Sequence, residues 1–404
     1  NRLSGIVYTL SGQPTQSFAW NYDESGASYG QGRLTSTSYP DGSAQYGYDA
    51  QGRLLSDTET LNAASGANAS TVSLSISYGY DADGHLTSLI YPSGRKLVIS
   101  YSGGLPSAMT LARNATTTSP VTLISQITYS PFGPATGWQW QMGSTTLAYA
   151  RVFDTSGRMV RYPLGANVVR DITYDAADRI TDYTHYDAST GAANPTLDQH
   201  FGYDELGRLI SITTGSASWS IGYDDNGNRT SLTLNSSTSN YTTDSASNHL
   251  SRTSNPLRLF GYDNAGNTTG DTGISYTAVY DASGRLASLT RGAYTETYSY
   301  DGMGRRTRKF NNTGAASTII FAYDQAGHLL GEYDNTGTAL REYVWLDDQL
   351  IAIFSPTAYP ALNPNVYYVY TDHLGTPRAV VDTSNNLRWQ WLAEPFGTTA
   401  PDTN

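Results

Sequence analysis

One short phrase recurs through this sequence and constrains its fold more than any other feature: an aromatic residue, Asp, two variable positions, Gly, a basic or polar residue and usually Leu. Clear copies run from Tyr48-Asp49 to Gly52-Arg53, Tyr80-Asp81 to Gly84, Tyr203-Asp204 to Gly207-Arg208 and Tyr280-Asp281 to Gly284-Arg285. The same frame returns from Tyr223-Asp224 to Gly227, Tyr262-Asp263 to Gly266, Tyr300-Asp301 to Gly304 and Tyr323-Asp324 to Gly327. Phe153-Asp154 to Gly157-Arg158 is a further copy; Tyr174-Asp175 and Thr243-Asp244 begin degenerate ones, and Tyr101 and Tyr129 mark worn relatives. From residue 203 the repeat starts at 203, 223, 243, 262, 280, 300 and 323, a period of about 20 residues that identifies a repeat architecture.

Each copy reads as a β-hairpin. Before the Asp, side chains alternate as in Tyr46-Gly47-Tyr48 and Tyr298-Ser299-Tyr300, the period of two that marks a strand. Asp favours the first position of a type I turn, where its carboxylate accepts backbone N–H groups, and Gly supplies the positive φ that follows. After the Gly, runs such as Arg208-Leu209-Ile210-Ser211-Ile212 alternate again and form the returning strand. No long stretch carries apolar residues at i, i+3, i+4 and i+7, so the expected fold is all-β: tandem hairpins joined into one long antiparallel sheet, each stabilised by its neighbours. A tyrosine-rich face makes cross-strand aromatic ladders expected.

Composition follows from that unit. Of 404 residues, 39 are Gly and 32 Tyr, while charged residues are 15%, against about 25% in an ordinary soluble domain. Tyr supplies the strand face and Gly the turn. A formal net charge of −11 without a basic run argues against nucleic acid as a partner. No apolar window is long enough for a membrane span. The absence of Cys removes disulfides, thiolate metal sites and Cys nucleophiles. With Asn1 first and no basic-then-apolar leader, the chain is expected to be a processed or excised piece of a longer one.

The chemical motifs resolve into turn chemistry. Nearly every prominent Asp occupies the turn position, which accounts for it better than a glycosidase carboxylate pair would. Asp81-Ala82-Asp83-Gly84 and Asp224-Asp225-Asn226-Gly227 lack the oxygen spacing and distal Glu of a calcium loop. His85, His249 and His328 fill the slot usually held by Arg, and pairing with Asp or stacking on Tyr is the reading of that slot. There is no nucleophile elbow, His-Glu-x-x-His pair or phosphate loop. The sequence therefore names no catalytic, cofactor-binding or metal-ligating residue.

With these repeats and a C-terminal stretch Tyr370-Thr371-Asp372-His373-Leu374-Gly375-Thr376-Pro377-Arg378, followed by Trp389-Gln390-Trp391 and Pro395-Phe396-Gly397, the chain resembles the YD-repeat proteins. These include the Rhs proteins, the shells of insecticidal toxin complexes and the teneurins. The resemblance covers roughly Gly26 to Gly397 and places Asp372 to Arg378 in the family signature. It implies a spiralling sheet forming a hollow shell around a toxic polypeptide. The Asp-Pro-x-Gly-Leu-like motif that follows the signature in relatives, and with it self-cleavage, does not carry over to this chain.

The resulting expectation is a structural scaffold rather than an enzyme, with residues 1–355 as the repeat array and 356–404 as a continuous signature segment. Its expected partner is a polypeptide cargo, and its expected location is secreted or cell-surface, in a bacterium. Two alternatives share the fold. One is a filament of identical copies pairing through free sheet edges; the other is an adhesion module binding surface glycans.

Overall fold

The computed structural model describes residues 2–62, 71–116, 120–131, 133–165, 167–312, 317–355 and 365–403. It is a meander of antiparallel strands. Hydrogen-bonded neighbours follow sequence order through a 12-stranded sheet and then a 24-stranded one. A single 3-10 turn, Pro195–Leu197, is the only helical element among the described residues. No described helix is long and apolar enough to cross a membrane. The all-β class and long antiparallel pairing are as expected, with the ladder divided into two sheets where one continuous sheet was expected.

The strands form where side chains alternate. In Thr71–Tyr80, Val72, Leu74, Ile76 and Tyr78 are buried, while Thr71, Ser73 and Ser75 are exposed. A strand with one apolar face is held by burial of that face, worth about 1.5 to 3 kcal/mol for each large aliphatic side chain. On the exposed face, hydroxyls pair across the ladder: Thr60 with Ser73 (3.0 Å) and Thr233 with Thr238 (2.8 Å).

The chain divides into two compact units, each assembled from segments distant in sequence. The first comprises Asn1–Ser125, Tyr276–Val344 and Ile353–Asn365; the second comprises Gln126–Ser275, Trp345–Ala352 and Val366–Asn404. The boundary expected at 355/356 adjoins residues 356–364, which lie outside the described residues. In the second unit, Trp138 stacks on Tyr149 with ring centroids 4.3 Å apart, and Trp140 meets Tyr368 at 4.8 Å. In the first unit, the core includes Leu61, Leu74, Leu97, Ile320 and Val344.

Candidate functional site

The recurring phrase builds one local structure at every strong copy. At Asp49, the backbone N–H donates to the Arg53 carbonyl (3.0 Å) and the Gly52 N–H donates to the Asp49 carbonyl (3.0 Å). This is a three-residue hairpin loop, a type I turn closed by a residue with positive φ. Gly52, Gly84, Gly207, Gly227, Gly266, Gly284, Gly304, Gly327 and Gly375 hold φ between +77° and +94°, where a Cβ is strained. Oδ1 of Asp49 accepts from the N–H groups of Gln51 and Arg53 (3.0 and 2.8 Å), and Asp81, Asp204, Asp224, Asp263, Asp281, Asp301 and Asp324 repeat this capping. Backbone and side-chain hydrogen bonds from Arg179 hold the Asp175 carboxyl below its usual range in the degenerate copy. One residue after each turn the ladder slips: Tyr48 faces Leu54 while Gly47 faces Ser56, leaving Leu55 as a bulge, and Tyr280 opposite Leu286 sits in the same register.

The bulge frees a carbonyl, and the tyrosine of the next copy takes it. Tyr80 Oη donates to the Leu54 carbonyl (3.0 Å), and Tyr203, Tyr223, Tyr262, Tyr300 and Tyr323 donate to the equivalent carbonyls of Ile180, Leu209, Leu250, Leu286 and Arg306 at 2.7 to 2.9 Å. Tyr48 reaches Leu34 in the same way (2.6 Å). The basic residue completes the link. Arg53 Nε pairs with Asp49 Oδ2 (2.6 Å), Nη1 donates to the Asp81 carbonyl (2.8 Å), and the guanidinium lies 4.8 Å from the centre of the Tyr80 ring. Arg208 does the same with Asp204 (2.7 Å), Asp224 (2.9 Å) and Tyr223 (4.9 Å). Arg285 lies 5.7 Å over Tyr300.

Pairing and stacking are thus simultaneous, and the stacking partner belongs to the following copy. Along this spine the tyrosines are spaced by guanidinium groups, where ladders of tyrosine on tyrosine were expected; a flat cation over a π-face is favourable and leaves each phenol free to donate.

The signature segment folds as another copy. Asp372 N–H donates to Thr376 (2.9 Å) and Gly375 N–H to Asp372 (3.1 Å), while Oδ1 caps Leu374 and Thr376. Pro377 faces Thr371 across the slipped ladder, and Arg378, now the bulge residue, pairs its Nε with Asp372 Oδ2 (2.8 Å) and lies 5.5 Å over Trp391. His373 is tilted against Tyr183 at 6.3 Å, and its burial pushes the imidazole pKa down. Leu374 is 77% exposed at the turn tip.

Repeat residues are therefore strung along the array, linking copy to copy, while Asp372 to Gly375 of the signature line one side of a pocket in the second unit. Among the described residues, Asp81, Asp83 and His85 come close enough to share an ion, but both Asp81 oxygens already accept from His85, through its N–H (2.8 Å) and Nδ1 (2.9 Å). A groove of about 700 Å³ in the first unit, lined by Ser36, Gln45, Ser56 and Thr58, contains the carboxylate of Glu24, which accepts from Thr35 and Ser36. A pocket of about 270 Å³ in the second unit lies beside Arg151, Gln349, Asp372 and His373.

Three groups of residues were not singled out in the sequence. Further copies occupy Asp23 to Gly32-Arg33, where eight residues separate Asp from Gly; Asp334 to Gly337; and Asp382 to Asn385, where Asn holds φ +61°. Buried ion pairs join distant segments within the first unit: Arg95 to Glu342 (2.9 Å) and Arg308 to Asp41 (2.8 Å). In the second unit, Arg170 Nε donates to His185 Nε2 (2.9 Å), whose Nδ1 faces Asp198 (3.1 Å).

Comparison with known proteins agrees with this geometry. Residues 29–67 match the RHS repeat, and residues 167–404, more than half of the chain, match the teneurin YD-shell. A search of curated proteins returned no match. Among solved structures, the chain is similar to TcdB2-TccC3 at 16% identity and a TM-score of 0.78, covering 98% of this chain and 23% of that one. It is also similar to the Photorhabdus luminescens Tc holotoxin pore (16% identity, TM-score 0.77) and to TcdB2-TccC3 without its hypervariable C-terminal region (16%, 0.77), each covering 98% of this chain and 22% of theirs. The chain thus spans under a quarter of the length of the structures it matches. Its repeats, its slipped hairpins and the match over 167–404 show that the chain belongs to the teneurin YD-shell family.

Proposed function

We propose that this chain is a wall-forming stretch of a YD shell that contains a polypeptide cargo and shields it from solvent and proteases. The observation that carries the reading is the spine: Tyr48, Tyr80, Tyr203, Tyr223, Tyr262, Tyr300 and Tyr323 each bond back to a preceding hairpin through the hydroxyl, and Arg53 and Arg208 reach forward to the next turn and its tyrosine, so that loosening one hairpin strains its neighbours. Such a wall is suited to holding its form while a guest is unfolded beside it. The relatives in solved structures are TcdB2-TccC3 complexes and a Tc holotoxin, which supports a second polypeptide as partner. Secretion or display at a bacterial surface fits the same comparison. The role is structural, resting on links between repeats.

The test is protection. In the full-length gene product, a protease-sensitive reporter segment inserted as cargo should survive proteolysis that destroys the same reporter free in solution. Equal digestion of both would refute containment. Negative-stain images should show closed particles; extended tubes would instead support self-assembly.

A further inference from the structure

Buried charge in the first unit is unbalanced. Glu59 is 9% exposed and lies on the inward face of the strand Leu54–Asn62, two residues from Asp57. From the other long segment of the unit, Asp301 (3% exposed) and Arg305 face the same pair. Arg305 is already committed: its Nε pairs with Asp301 Oδ2 at 2.6 Å. Arg308 is likewise paired with Asp41 (2.8 Å). The remaining groups around the pair are phenols, with the Asp324–His328 pair (2.9 Å) beyond them. Tyr39 donates to Glu59 Oε1 at 2.5 Å, Tyr46 and Tyr78 come from the strands Gly42–Tyr48 and Thr71–Tyr80, and Asp324 adds another negative charge toward Tyr78. Three carboxylates, Asp57, Glu59 and Asp301, therefore share one guanidinium. Two uncompensated negative charges in a water-poor seam are too costly to hold, and the group neutralises instead.

We propose that a proton retained on the Glu59–Asp57 pair is a structural component of the first unit, a latch that closes strands 34–80 onto the turns at Asp301 and Asp324. Removing it loosens this seam, so the device releases on alkalinisation and closes on return to neutral or acid pH. Burial, with Asp301 and Asp57 alongside, pushes Glu59 up to about 8, and burial likewise pushes Asp57 up to about 6. The sign follows from linkage: carboxyls whose folded pKa exceeds the unfolded value stabilise the fold below the unfolded pKa, and that stability is lost as pH rises through the folded one. For Glu59 the loss falls between pH 4.5 and about 8.

The test is hydrogen exchange of the strand Leu54–Asn62 and the strand Tyr294–Tyr300 in the whole chain, corrected for the intrinsic base catalysis of exchange. In the wild type, the opening equilibrium should rise on the order of 100-fold between pH 6 and pH 9. Glu59→Gln keeps an acceptor for Tyr39 but cannot ionise, and should remove most of that rise; Asp57→Asn should remove a smaller part centred nearer pH 6. A pH-independent wild type, or a full response in Glu59→Gln, would overturn the latch. Should Glu59→Gln not fold, carboxyl carbon NMR titration of the wild type decides: Glu59 titrating well above the exposed glutamates supports it, and titration together with them overturns it.

Discussion

Replacing Tyr223 by Phe removes one oxygen and nothing else from the spine. Its hydroxyl donates to the Leu209 carbonyl at 2.9 Å, a carbonyl that the slipped ladder exposes between Tyr203 and Leu209. A hydrogen bond of this kind contributes about 0.5 to 1.5 kcal/mol net, and stranding a half-buried acceptor raises the cost toward the upper end. The Phe ring retains the contact with Arg208, whose guanidinium lies 4.9 Å from the ring centre. Tyr223→Phe should therefore cost about 1 to 1.5 kcal/mol, whereas Tyr223→Leu loses a further 0.5 to 1 kcal/mol, roughly, of cation–π attraction. Tyr80→Phe, at the equivalent bond in the first unit, should add to Tyr223→Phe with no coupling, because the two sites share no partner. Urea unfolding followed by tryptophan fluorescence measures all of these, with Tyr186→Phe as the control for a tyrosine outside the repeat frame. The spine is refuted if Tyr223→Phe is neutral within error, or if Phe and Leu at 223 are equally damaging.

Gly227→Ala meets no atom within 4 Å but forces Ala to φ +84°, so it should cost about 1 to 2 kcal/mol by urea unfolding from backbone strain alone. Asn385→Gly, at φ +61° in the same turn position, should be neutral or stabilising in that assay. Arg378→Lys loses the planar contact with Trp391 and the in-line Nε bond to a nearly fully buried Asp372 carboxylate, and should destabilise the second unit by about 1 to 3 kcal/mol, read from Trp391 fluorescence. Burial and the adjacent Arg170 push His185 down to about 4, so the unfolded chain binds its proton first; stability of the second unit should be complete above pH 6.5 and fall by up to about 3 kcal/mol toward pH 4, a slope that His185→Gln removes in thermal melts taken across that range.

The turns were legible because everything that determines them is local. Asp at the first position and Gly at the fourth each satisfy a backbone requirement within five residues. Copies escaped where local spacing changed: Asp334 follows Asp324 by only ten residues, Asp382 uses Asn385 for its positive φ, and Asp23 is separated from Gly32 by an insertion whose own turns dock Ser28 on Tyr48. What the sequence did not disclose is long range. Asp57 and Glu59 sit in the run Ser56-Asp57-Thr58-Glu59-Thr60-Leu61, where polar residues on both faces conceal which one is buried. Only Leu61, buried and in phase with them, indicates that the acids point inward. Their partners Asp301 and Arg305 lie more than 240 residues away, and no spacing rule connects them.

The slot after the turn glycine shows how one position can shape composition. Of 24 basic residues only Lys96 and Lys309 are lysines, and neither stands in the slot, where the spine accounts for arginine. The slot asks for three things: an N–H in line with the turn Asp, a second donor for the next Asp carbonyl and a flat face for the next tyrosine. Arginine meets all three at once, whereas a lysine ammonium can meet one or two and has no face. The natural replacements rank accordingly. His85 keeps the bond to Asp81 and stacks on Tyr101 at 4.6 Å, giving up the second donor. Asn228 keeps the bond to Asp224 and donates onward to Asn248 of the next copy (2.8 Å), and there the next residue, Arg229, supplies the cation, 4.5 Å over Tyr241. At Asn228 the neighbouring Arg229 restores the flat cation that the slot lost, so there the stacking contact carries weight of its own in the link between repeats. Arg208→His should accordingly be tolerated better than Arg208→Lys, although Lys alone retains a full charge at pH 8.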